Sequence, residues 1–222
     1  MTDRLMGNEI KLIVFDFDGT LGDTHRNIVA TMQMTMDELQ LPVRSEAECT
    51  ATIGLPLSEC FTAMYPDLTA DVIRRCTDTY KRIFQDNLHN IEPKAFPRVK
   101  QTLSALKRKG YTLTIASSRS HESLVELVGR LHLADYFAYI VGGDDVKEAK
   151  PKPEPVTKTL AAMHCEPSQT LVVGDMAVDI LMGANAGTRT CGVTYGNGTQ
   201  DELTEAGADY TIDSIDKLID IL

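Results

Sequence analysis

The chain predicts an α/β fold: a parallel sheet in one unit, with an α-helical domain inserted into it. Three observations predict it. Residues 10–15 are an apolar run, broken only by Lys11, ending at Asp16-Phe17-Asp18, the mark of a strand covered on both faces. From residue 98 to the C-terminus strand-like and helix-like segments alternate, which is how a parallel sheet with crossover helices reads in sequence. Between these parts, residues 22–92 show helical spacing and no strand pattern. The expected division is therefore residues 1–21 and 93–222 as the sheet-bearing core and 22–92 as the helical domain.

In order along the chain, residues 24–39 have helical character and many polar side chains, and Pro42 ends that helix. Residues 45–53 and 57–64 read as short helices separated by Gly54 and Pro56. Residues 69–88 form a longer helix, with Val72, Cys76, Tyr80 and Ile83 or Phe84 on one face. The pattern changes after Pro93 and Pro97. A helix over 99–109 presents Val99, Leu103 and Leu106 on one side and stops at Gly110. Then follow a strand at 111–116, a helix at 120–131 and a short strand at 139–141. A helix at 154–163 is entered through prolines 151, 153 and 155. A strand at 170–173, a helix at 177–186, strands at 188–193 and 210–212, and a closing helix at 214–222 complete the reading.

Composition narrows the partners. The net charge of −10, with no basic stripe, argues against nucleic acid. No apolar stretch is long enough to span a bilayer, and the first eleven residues hold no apolar signal core, so a soluble cytoplasmic protein with no membrane partner is expected. The five cysteines (Cys49, Cys60, Cys76, Cys165 and Cys191) include no CxxC pair, which suits a reducing compartment and a role as small buried hydrophobes. Methionines 32, 34, 36 and 64 read as helix packing. No heptad pattern argues an assembly, so monomer and homodimer both stay open.

In a parallel sheet, polar residues at the carboxyl ends of strands face the binding crevice. Four such ends carry chemistry: Asp16-Phe17-Asp18, Ser117-Ser118-Arg119, Asp144-Asp145 with Lys150 beyond them, and Gly174-Asp175 with Asp179 four residues on. A metal and a phosphate together would satisfy these acids, hydroxyls and cations. Asp16 is the candidate nucleophile, since a carboxylate attacking phosphorus divides one hard step into two. Asp18 is the candidate acid/base. Asp175 suits Mg²⁺, and Asp179 either binds the metal or holds Asp175; it also fits a first-turn acid favoured by the helix dipole. Ser117, the amide of Ser118 and the next helix N-terminus can donate to a phosphoryl oxygen, although two serines after a strand also suit a helix cap. Lys150 can supply positive charge to the transferring group, or be a solvated lysine in a proline loop. Arg119 either reaches substrate or forms a salt bridge. His25, close after the first acids, either touches substrate or has a surface or capping role. Gly19 and Thr20 form the turn after the acid pair and are taken with the substrate-binding set.

Asp16-x-Asp18-Gly19-Thr20, Ser117, Lys150 and Gly174-Asp175-x-x-x-Asp179, in this order, resemble the four motifs of the haloacid dehalogenase-like hydrolase superfamily. The resemblance covers nearly the whole chain. It implies a Rossmann-like core and a helical cap whose closure shields an aspartyl-phosphate from water. It also implies Mg²⁺ held by Asp16, the backbone carbonyl of Asp18, and Asp175. Within the superfamily, residues 52–57 (TIGLPL) and 150–155 (KPKPEP) look like the phosphoglycolate phosphatase branch.

The expected activity is thus Mg²⁺-dependent hydrolysis of a small phosphorylated metabolite, phosphoglycolate among the candidates. A phosphosugar mutase of the β-phosphoglucomutase type is the alternative enzyme. That branch shares Asp23-Thr24, but Ile28 stands where it usually carries a histidine, and its Ser-Arg pair is absent near Gly54. A non-catalytic binding module on the same fold is the third reading; loss of Asp16 or Asp18 would favour it, and both are present.

Overall fold

A computed structural model describes residues 9–88 and 93–222. The expected end of the helical domain at residue 92 lies outside the described residues, as does His89.

Strand β1 (Leu12–Phe15) is the apolar run, and all four of its residues are buried. Alternation places Ile13 and Phe15 in the larger hydrophobic cluster and Leu12 and Val14 in a second one with Val156, Leu160, Val172 and Met182. A strand covered on both faces gains about 1.5–3 kcal/mol for each such side chain removed from water, which explains why no polar residue interrupts it.

The helical block follows as α1 (His25–Glu38), α2 (Glu46–Thr50), α3 (Leu57–Met64) and α4 (Ala70–Asn87). Ser45 and Glu48 form a capping box that fixes the start of α2. Helix α4 turns Ile73, Cys76, Tyr80, Ile83 and Phe84 inward, with Val72 only partly buried at the edge of that face. Phe61 packs edge-on to Tyr80, and Tyr80 stacks on Phe84 with ring centroids 6.0 Å apart. Met32, Met36 and Met64 are buried as helix packing requires, whereas Met34 is 45% exposed and departs from that expectation. The block is not free of strand: β2 (Gly22–Asp23) pairs antiparallel with β3 (Lys94–Ala95) where the chain leaves and re-enters the core. Two residues are too few to show a period of two.

The core resumes with α5 (Val99–Arg108), β4 (Thr112–Ala116), α6 (His121–Arg130), β5 (Tyr139–Val141) and α7 (Glu154–Met163). It ends with β6 (Thr170–Gly174), α8 (Ala177–Asn185), β7 (Arg189–Val193), α9 (Gln200–Glu205), β8 (Tyr210–Ile212) and α10 (Leu218–Ile221). Helix α9 falls where no element was expected. The closing helix is shorter than expected, because Ile215–Lys217 is a 3-10 turn. Six parallel strands form one sheet in the order β5-β4-β1-β6-β7-β8. This is a Rossmann-like core carrying additional helices as a cap. The chain runs outward from β1 to β4 and β5, then crosses to β6 on the other side of β1. The strand order reverses there, so the crevice opens at the carboxyl ends of β1 and β6.

Among the described residues no helix is long and apolar enough to cross a membrane. Cys49, Cys60, Cys76 and Cys191 are buried free thiols and Cys165 is half-buried, as their spacing suggested.

Candidate active site

The register places the acids. Asp16 follows the last residue of β1, and its backbone N–H donates to the carbonyl of Val173 on β6 at 2.8 Å. Asp175 follows the last residue of β6, so the two carboxylates emerge side by side. The chain then winds around one carbonyl: the N–H groups of Leu21 and Gly22 both donate to Phe17 O. Gly19 makes that turn possible with φ +91°, and a Cβ there would overlap the Asp175 carboxylate at 2.0 Å. Gly174 clears space in the same way for Asp179, whose Cβ lies 2.2 Å from where a Gly174 Cβ would stand.

Carboxylate oxygens of Asp16, Asp175 and Asp179 come within 4.8 Å of one another, and all three residues are buried. Lys150 is the cation among them. Its Nζ donates to Asp16 Oδ1 at 2.5 Å and to Asp179 Oδ1 at 2.7 Å. Burial alone would lower the Lys150 pKa, but Asp16 and Asp179 outweigh it, and the ammonium stays charged. Asp179 Oδ2 accepts from the N–H of Met176 at 3.0 Å, which closes the first turn of α8 as well as the site. Asp175 accepts from Thr20 Oγ1 at 3.1 Å, and from the backbone N–H and side-chain amide of Asn197 at 2.7 and 2.9 Å.

The electrostatics show what the donor set suits. Burial pushes the Asp16 carboxyl well above its usual range against the pull of Lys150, with Asp179 and Asp175 adding to the rise. Burial, then Asp179, pushes Asp175 up to about 7 despite the donors from Asn197 and Thr20. Three buried carboxylates facing one ammonium leave negative charge uncompensated. An all-oxygen donor set of this kind fits a hard divalent cation such as Mg²⁺.

Asp18 stands apart from that cluster. Arg119 grips it with Nη2 to Oδ1 at 2.7 Å and Nε to Oδ2 at 3.0 Å, and Thr24 Oγ1 donates to Oδ1 at 2.6 Å. Oδ1 accepts two of these bonds and Oδ2 one, which leaves a lone pair on Oδ2 for a proton. Arg119 is the salt bridge of the two roles weighed for it, and its guanidinium also lies 4.8 Å over the Phe84 ring of the cap. Ser117 is buried with its Oγ accepting from the Arg119 N–H at 3.2 Å, which leaves its hydroxyl proton to donate. Ser118 Oγ donates to Gly54 O at 2.6 Å, a direct link from core to cap.

Asp16, Asp18, Ser117, Ser118, Arg119, Asp175 and Asp179 share one cavity, with Lys150 paired to Asp16 and Asp179 at its floor. Gly19, Thr20 and His25 do not line it. Thr20 is fully buried and holds Asp175. The His25 ring bonds Thr50 Oγ1 at 2.8 Å in a separate shallow cleft that Gly19 also lines. Sequence reasoning missed Asn197 and Tyr195, whose hydroxyl donates to Thr20 O at 2.8 Å. The signal was the Tyr195-Gly196-Asn197-Gly198 turn after a strand; a Cβ on Gly196 would sit 2.4 Å from that of Asp175.

Comparison with known proteins agrees with this geometry. The family model for haloacid dehalogenase-like hydrolases matches residues 13–193, which span every acid of the site. The chain belongs to this family. The hydrolase is 32% identical over 213 residues to pyrophosphatase PpaX of Bacillus pumilus, covering 96% of each chain. It is 31% identical over 222 residues to phosphoglycolate phosphatase of Vibrio vulnificus, again covering 96% of each. The crystal structure of a predicted phosphatase from Clostridium acetobutylicum superposes with a TM-score of 0.87 at 26% identity, over 96% of this chain and 98% of that one. The resemblance to the phosphoglycolate phosphatase-like branch holds, and membership supports phosphatase activity in general.

The raised Asp175 pKa has a consequence for the metal-free hydrolase. Unfolded, Asp175 ionises near pH 4; folded, it does so at about 7. Between these values the native state binds more protons, so stability falls as pH rises through that window. Melting temperature in EDTA should fall from about pH 4 to 7 through this group, and Asp175→Asn should lack that part of the fall. Mg²⁺ should raise the wild-type melting temperature more at pH 8 than at pH 5. An equal rise at both would show that the ion does not bind this carboxylate cluster.

Proposed function

We propose that the protein is a Mg²⁺-dependent phosphatase that hydrolyses a small organic phosphate monoester through an aspartyl-phosphate on Asp16. The observation that carries this is the convergence of Asp16 with Asp175, Asp179 and Lys150 at the strand-order reversal, with Ser117 and the Ser118 amide beside them.

Asp16, Asp175 and Asp179 are the side chains that would hold Mg²⁺; the bound ion neutralises negative charge on the carboxylates and on the phosphoryl group. Lys150 occupies Asp16 Oδ1, so Oδ2 is the atom free to attack phosphorus. The ester P–O bond breaks as the Asp16 Oδ2–P bond forms. Asp18, still held by Arg119, protonates the departing oxygen through Oδ2, then takes a proton from the water that cleaves the acyl phosphate. The Ser117 hydroxyl, the Ser118 amide and Lys150 hold the phosphoryl oxygens during both transfers. The cap helices over the site exclude bulk water, so that the one water Asp18 activates is the water that reacts.

Phosphoglycolate and pyrophosphate, the substrates in the relatives' names, both present the phosphoryl group this site accepts. Ile28 lines the cavity, in line with a hydrolase rather than a mutase of the β-phosphoglucomutase type. The test is phosphate release from a panel of monoesters with Mg²⁺ and with EDTA. Release from at least one ester that stops in EDTA and returns with Mg²⁺ is expected. Release that persists in EDTA, or none from any ester, would overturn the reading.

A further inference from the structure

Above the acids the cavity changes character. Its volume is about 550 Å³, and Ile28, Met32, Ile53, Leu55, Tyr80 and Phe84 are the apolar part of its cap side, with Ser58, Thr77 and Gln85 beside them. Cavities of that size hold drug-sized ligands. A glycolate leaving group or a second phosphate would leave most of it unfilled.

Charge points the same way. Two cations line the cavity among the described residues, Arg119 and Lys81. Arg119 is committed to Asp18 through two hydrogen bonds. Lys81 is exposed at the rim, where Glu122 and Asp144 also stand. At the floor Lys150 is shared between Asp16 and Asp179. A divalent ion there would be shared between the buried carboxylates and the phosphoryl group, with no positive charge left over for a second anionic group. A carboxylate there would lose hydration and meet neutral side chains, with no buried cation free to pair with it.

The third observation is Tyr80. Its side chain is 94% buried, being 6% exposed, and faces the cavity close enough to Arg119 and Asp18 to feel their charges. Its ring is fixed by Phe61 and Phe84, yet its hydroxyl makes no hydrogen bond to the protein among the described residues. The hydroxyl is not sealed in the core but open to the cavity. It is presented to whatever fills the cavity.

We propose that the cap cavity receives a neutral leaving group with an apolar body of aromatic-ring size or larger, carrying a polar atom that the Tyr80 hydroxyl binds. The proposal rests on the phosphatase reading above and narrows its substrate class. Tyr80 is the specificity-determining residue, and Leu55 and Phe84 are part of the apolar wall that a charged group would face.

Alkyl esters with similar leaving alcohols separate cavity binding from leaving-group chemistry. kcat/KM for 2-phenylethyl phosphate should exceed that for ethyl phosphate on the order of 100-fold, as burial of a phenyl ring predicts. It should exceed that for phosphoglycolate by at least as much. A para-hydroxyl on the ring should raise kcat/KM further, and Tyr80→Phe should erase that gain, about 10-fold. Leu55→Lys should lower 2-phenylethyl phosphate turnover and raise that of phosphoglycolate. Preference for phosphoglycolate or pyrophosphate in the wild type would overturn the proposal and leave the phosphatase reading intact. Phosphonates, which are not hydrolysed, test the cavity without turnover. By calorimetry with Mg²⁺, 3-phenylpropylphosphonate should bind more tightly than methylphosphonate or 3-phosphonopropionate. That ranking with no ester hydrolysed would overturn the phosphatase reading and support the cavity assignment. Equal or absent binding of the three would overturn the cavity assignment.

Discussion

Asp16→Asn protein is expected to fold and to release phosphate from no ester, a loss on the order of 10⁵-fold or more in kcat. The amide keeps the shape of the carboxyl but lacks the charge that makes it a nucleophile. Folding should survive because Lys150 retains Asp179 as a partner, so no buried ammonium is orphaned. The wild-type carboxyl is itself held in an unfavourable, buried and acid-crowded place, and the neutral amide relieves that. Circular dichroism and the thermal midpoint should stay close to wild type. A second readout is chemical: brief incubation of wild type with a labelled ester should leave label on Asp16, and none on the variant. Wild-type turnover in a correctly folded Asp16→Asn protein would place the nucleophile elsewhere and sink the mechanism.

The parts of this site that were legible in sequence are those fixed by local spacing. Asp16 and Asp18 close an apolar run, Asp175 and Asp179 stand one helical turn apart, and Ser117 follows a strand; the structure brings all of them to one crevice. Pairing between distant segments was not legible. Arg119 meets Asp18 across 101 residues and Thr20 meets Asp175 across 155, so no window of sequence reveals that the first is occupied and the second is support. His25 stood near the acids in sequence, but the first turn of α1 points it to Thr50 instead. Helix α9 had a readable signal that was passed over: Thr199 and Glu202 form a capping box ahead of it. The Tyr80 face was read correctly as core spacing. What spacing does not report is that one core ring ends in a hydroxyl that bonds nothing among the described residues.

Lys150→Met should damage stability and turnover together. The side chain is 4% exposed and holds Asp16 and Asp179 at once. Removing one partner from a buried ion pair costs about 3–5 kcal/mol, because the charge left behind has neither water nor a counter-ion. In EDTA the unfolding free energy should fall by that amount, read as a lower denaturant midpoint with little change in the slope of the transition. Mg²⁺ should return part of the stability, since it binds the carboxylates that lost their ammonium. It should not return turnover, which is expected to stay down about 10³-fold, because the ammonium that steadies Asp16 and the phosphoryl oxygens is gone. Lys150→Arg should rescue neither: a planar fork is larger than the point charge this pocket encloses. Stability restored by Mg²⁺ without activity separates the two roles of Lys150. Full recovery of turnover with Mg²⁺ would instead make the lysine a structural counter-ion alone, and the charge on the transferring group would have to be met by the metal and the Ser117 loop.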